Sequence, residues 1–200
     1  DTAIASIWPG TMFPVAGATD TGMVELCEDA LDLIAGDDPR RVRILSTLAS
    51  HLTFESDRSR RSAILDEAHT LARADGRPDL VGNVLVAEYL SLWDPTTSDR
   101  RARIAVEVAR AARATGDADL TFFGGFFEAI GLAERCDVAS ARNVLEHLSA
   151  AADATHNFYF RFLVERFLLS LDILAGRGDA QAGVDALAAE YGDTHADTAG

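Results

Sequence analysis

Seven side chains of this 200-residue chain stand where types and spacing could do chemistry: Glu88, Phe123, Phe127, Glu128, Arg161, Glu165 and Arg166. Glu128 follows the aromatic run "FFGGFF" at residues 122–127, and Glu88 stands forty residues before it. Arg161, Glu165 and Arg166 belong to a second aromatic segment, with Phe158, Tyr159, Phe160, Phe162 and Phe167. A carboxylate in apolar company must find a partner or give up its charge. Two outcomes are open. Glu128 pairs internally with Arg161 or Arg166, or the arginine forks recognise a charged ligand. The phenylalanines are open in the same way, as core or as walls of an apolar groove for a ligand, a partner helix or a second copy.

No residue constellation names a reaction. His51, His69, His147, His156 and His195 show neither His-Glu-x-x-His nor paired-cysteine spacing, so neither a metal nor another cofactor is expected. "GDDPRR" at 36–41 lacks the third carboxylate one turn on that an aspartate-rich terpene-enzyme signature needs, and Pro39 reads as a helix start. A glycine-rich phosphate loop needs a lysine, and the chain has none: all 18 basic residues are arginine. Cys27 and Cys136, far apart in sequence, read as reduced thiols. The arginine doublets of "DRSRR" (57–61) and "SDRR" (98–101) read as surface salt-bridge partners. The expectation is a protein that is not an enzyme.

Charge narrows the partners. Thirty-two acidic residues against 18 basic ones give a formal net charge of −14, which repels phosphate backbones and anionic lipid. Direct contact with nucleic acid or membrane is therefore not expected. No apolar run approaches the ~20 residues needed to span a bilayer, and "DTAIASIWPG" lacks the basic start and long apolar run of a signal peptide. A cytoplasmic piece of something longer is the expectation.

The elements that must position these residues announce themselves by repetition. "RRSAILDEAHTLARADGRPDL" at 60–80 and "RRARIAVEVARAARATGDADL" at 100–120 share ten of 21 positions. A weaker third copy follows another forty residues on, with Val144 under Ile64 and Ile104. A fixed period of this length marks stacked units, each with an apolar face that only a neighbour can bury. Ile64, Leu65, Ala68, Leu71 and Ala72 lie on one side of a helix. Gly76 and Gly116 sit where a helix ends in a left-handed residue, and Pro39 and Pro78 suit a first turn. Asp137, Asp179 and either Ser98 or Asp99 are candidate N-caps.

The spacing predicts helices at about 23–35, 40–54, 59–75, 79–93, 98–115, 119–135, 138–155, 158–176 and 179–191. Short connections fold consecutive helices back as antiparallel neighbours. The expected fold is all-α: a right-handed, tetratricopeptide-like α-solenoid of antiparallel hairpins with about nine helices. Residues 1–22 read as an irregular leader, 23–191 as a single domain of ~40-residue period, and 192–200 as a tail.

Three marks carry a resemblance: the helix pair in "EAHTLARADGRPDLVGNVL", the "LWDP" at Leu92–Pro95, and the following "RARIAVEVARAARATGDADL". The later "LAERCDVASARNVLEHL" adds to it. Together they resemble the C-terminal helical-repeat region of actinobacterial LuxR-type and MalT-like regulators, which are linked to ATPase or cyclase-homology modules. The resemblance spans roughly residues 24 to 190. It implies a sensor or scaffold region that binds a protein, a peptide or a small effector in its groove. No nucleotide- or DNA-contacting residue is implied here. The aromatic helices at 119–135 and 158–176 leave a second expectation, a homo-oligomerisation module or homodimer.

Overall fold

A computed structural model of the chain describes residues 19–155 and 158–196. Those residues form nine α-helices and no strand. They are α1 (Thr21–Leu33), α2 (Pro39–His51), α3 (Arg58–Asp75), α4 (Pro78–Leu90), α5 (Ser98–Thr115), α6 (Ala118–Glu134), α7 (Val138–Thr155), α8 (Phe158–Leu174) and α9 (Ala180–Ala196). A 3-10 turn at Pro95–Thr97 precedes α5. Most of the leader expected at 1–22 lies outside the described residues, and α1 already begins at Thr21. At the other end α9 runs on to Ala196, into the segment expected as a tail.

Local chemistry sets these boundaries. Asp20, Asp38 and Asp57 accept hydrogen bonds from the backbone N–H groups of Met23, Arg40 and Ser59, which the helix itself leaves without partners. Pro39 and Pro78 open α2 and α4, where a missing N–H costs nothing. Gly76 and Gly116 close α3 and α5 at φ of 79° and 70°, returning their N–H groups to the carbonyls of Ala72 and Ala112. Asp137 and Asp179 cap α7 and α9 as the sequence suggests. Neither Ser98 nor Asp99 caps α5. Asp94 instead accepts from Thr96 N–H at the 3-10 turn, and α5 grows directly out of that turn.

The chain divides into two compact units, residues up to Gly124 and residues from Gly125 on, so the division falls inside α6. In the first unit α2 packs against α1, α3 and α4, and α4 also against α3 and α5. Leu45 and Ala49 of α2, Leu65, Ala68 and Ala72 of α3, and Leu80, Val84 and Ala87 of α4 share one core. Crowding leaves α4 buried nearly all round, which is why its sequence shows no polar face. Gly82 marks a close approach: a Cβ there would come within 2.6 Å of Leu120. A Cβ on Gly124 would likewise stand only 3.1 Å from the Cα of Ala109 on α5. In the second unit α8 packs against both α7 and α9, and Leu145, Leu163, Val164 and Leu171 are buried.

Candidate functional site

Glu88 carries the most developed polar arrangement of the first unit. It lies on α4, only 8% exposed, yet both carboxylate oxygens have partners. Oε2 stands 2.7 Å from Nε2 of His69 on α3, and Oε1 accepts from Nε of Arg100 on α5 at 2.9 Å. One carboxylate thus ties three consecutive helices. Burial pushes the Glu88 pKa up, but the hydrogen bonds from His69 and Arg100 outweigh it and hold the carboxyl below its ordinary value. This is a satisfied structural network and not a poised acid.

Glu128 does not repeat it. Although forty residues on from Glu88, it is exposed, and it makes no ion pair with Arg161 or Arg166. The cause is in the partners: the positions forty beyond His69 and Arg100 are Ala109 and Ser140, and neither carries charge. Phe123 and Phe127 are 2% and 1% exposed, so both are core residues and not walls of an open groove. Phe122 and Phe126 are buried too.

Arg161 and Glu165 come together, and Arg166 takes no part in their hydrogen bonds. Arg161 donates through Nε to Glu165 (3.2 Å) and to the Tyr191 hydroxyl (3.0 Å), and pairs through Nη2 with Glu190. Tyr191 in turn donates to Glu165 at 2.8 Å, closing a ring of contacts that fastens α9 to α8. Arg166 makes none of these contacts. It is exposed, with its guanidinium 5.8 Å from the centroid of the Phe162 ring.

Two arginine arrangements went unread in the sequence. Arg61 and Arg101, expected at the surface, are buried and donate to main-chain carbonyls at the ends of α2 and α4. Their first-in-doublet neighbours do form ion pairs, Arg60 with Glu28 and Glu55 and Arg100 with Glu88. The signal was present: each doublet recurs at the same place in its repeat, whereas surface ion pairs tolerate drift. The other arrangement lies in the second unit, where Arg142 and Arg177 both reach Asp172. No motif flags it, because its members come from three separate segments.

Among the described residues no group of three or more His, Cys, Asp or Glu is placed to hold a metal ion. None of the described helices is long and apolar enough to cross a membrane. Comparison with known proteins matches the chain to no family model, no curated protein and no solved structure.

Proposed function

We propose that this chain is a non-catalytic regulatory or scaffold module of a larger bacterial signalling or transcription-regulatory protein, working in the cytoplasm. Its hairpins continue one another as a right-handed, tetratricopeptide-like solenoid, and it binds a protein, a peptide or a small effector. The observation that carries this reading is the repetition of whole local devices at a forty-residue interval. Gly76 and Gly116 make the same helix end, and Arg61 and Arg101 make the same clamp. Such repeats give extended surfaces for partners. The resemblance of "LWDP" and its flanking helices to LuxR-type regulators supports the same reading. The test deletes this segment from the full-length protein and then restores it. Effector-dependent output that survives the deletion unchanged ends the proposal.

A second reading, homo-oligomerisation, is favoured by apolar exposure on α8: Ile173 is 46% and Leu174 77% exposed. Sedimentation decides it. A chain that stays monomeric at high concentration excludes this role.

A further inference from the structure

We propose that the cleft between the start of α7 and the α8–α9 connection binds a monocarboxylate on a short apolar stem, either a small acid or the C-terminus of a peptide. The cleft holds about 450 Å³, and all its walls belong to the second unit. Val138, Ala139 and Ala175 supply an apolar surface, and Arg142, Arg177 and Glu146 supply charge.

The charge ratio is what distinguishes this place. In the α8–α9 cluster one arginine, Arg161, serves two carboxylates, Glu165 and Glu190. Here two guanidinium groups share a single carboxylate oxygen, Oδ1 of Asp172: Arg142 through Nη2 and Arg177 through Nε at 3.3 Å. The Arg177 backbone N–H also donates to the Asp172 carbonyl at 2.8 Å, which fixes the connection against the end of α8. Asp172 offsets one of the two positive charges, and the other is left without an ion pair although Glu146 also lines the cleft. In addition, Nε of Arg142 is buried without a hydrogen-bond partner. Arg177 is half exposed and keeps donors beyond the one given to Asp172.

A planar carboxylate matches this set, because its two oxygens accept from guanidinium edges side by side. Glu146 on the wall, with Asp172 behind the arginines, sets the limit of one negative charge, since a dianion would meet both carboxylates. The small apolar residues leave room for a stem of alanine or short aliphatic size.

This inference gives the effector of the proposed regulatory module a chemical class, and its test reads binding alone. Butyrate, acetyl-Ala-Ala with a free carboxylate, the same peptide amidated, and inorganic phosphate are titrated into the isotope-labelled full chain. NMR follows the arginine Nε–H signals and the backbone amides of residues 138–146 and 175–177. One or both free acids should give saturable shifts centred there, with the amide and phosphate weaker by about tenfold or more. The tighter of the two acids identifies the source. Arg177→Gln, at a half-exposed side chain, should weaken binding by about fivefold or more while the rest of the spectrum stays unchanged. Silence with both acids, an equal response to the amide or phosphate, or undiminished binding to R177Q each overturns the proposal. Loss of the cleft in this way leaves the regulatory reading standing, and loss of regulation with binding intact does the reverse.

Discussion

Arg61 and Arg101 reach back the same nine residues, each guanidinium donating through Nη1 to a leucine carbonyl, Leu52 for one and Leu92 for the other. Each then takes a further carbonyl just beyond, of Thr53 and of Asp94. A helix end leaves carbonyls without intrahelical partners, and a buried guanidinium with several donors supplies them. Arg61→Met and Arg101→Met keep most of the side-chain volume but strand those carbonyls. Each should cost about 1–3 kcal/mol in urea unfolding, against about 0.5 or less for the exposed Arg103→Met.

Acid should loosen the three-helix tie at Glu88. Its folded pKa lies below its ordinary value, so its contribution is present above that ordinary value and is lost as pH falls through the folded one. Urea midpoints followed from pH 7 down to pH 3 should fall more steeply for the native chain than for Glu88→Gln. At pH 7 the variant itself should be less stable by about 1–3 kcal/mol, because the amide leaves one acceptor oxygen for two partners and removes the charge that pairs with Arg100. Parallel pH profiles for the two proteins would contradict the assignment.

The comparison of Glu88 with Glu128 shows where sequence reading stops. Helix positions were legible within a few residues, because prolines, glycines and aspartates fix backbone geometry locally. The all-helical class followed from the period of the apolar residues. Burial of a particular polar side chain is not local. It depends on what the neighbouring helices present, so two glutamates in equivalent register meet opposite surroundings. The aromatic run was ambiguous for the same reason. Four phenylalanines around a helix say that several faces are covered, and only the packing says that Phe123 and Phe127 are closed off from solvent. The Arg142, Asp172 and Arg177 cluster was invisible because α7 and the end of α8 meet only in three dimensions.

Core status makes Phe127 a stability residue. Phe127→Ala should cost about 3–5 kcal/mol, with the loss seen in thermal or urea unfolding. A variant as stable as the native chain would put the ring back at an open surface.

The two thiols should differ sharply in reactivity. Cys27 is fully buried, and burial, aided by Glu28 and Asp20, pushes its pKa up to about 12. Cys136 is exposed, in a left-handed backbone conformation at φ 61°. A thiol reagent at pH 8 should label one equivalent per native chain and two after unfolding. Rapid labelling of both in the native state would refute this.

Glycine substitutions should separate strain from crowding. Gly76→Ala meets open space but a left-handed backbone and should cost about 1 kcal/mol. Gly124→Ala meets the α5 main chain at 3.1 Å, which cannot step aside as a flexible side chain can, and should cost more. Differential scanning calorimetry of the two variants gives the order.

Guanidinium keeps its proton through any alkaline condition that proteins ordinarily face. Since the chain has no lysine and an arginine makes each clamp, raising the pH strips no charge from the clamps at Leu52 and Leu92. Acid reaches only the fastenings that use a carboxylate, such as those at Glu88 and Glu165, whereas the two clamps on main-chain carbonyls keep their charge at either extreme.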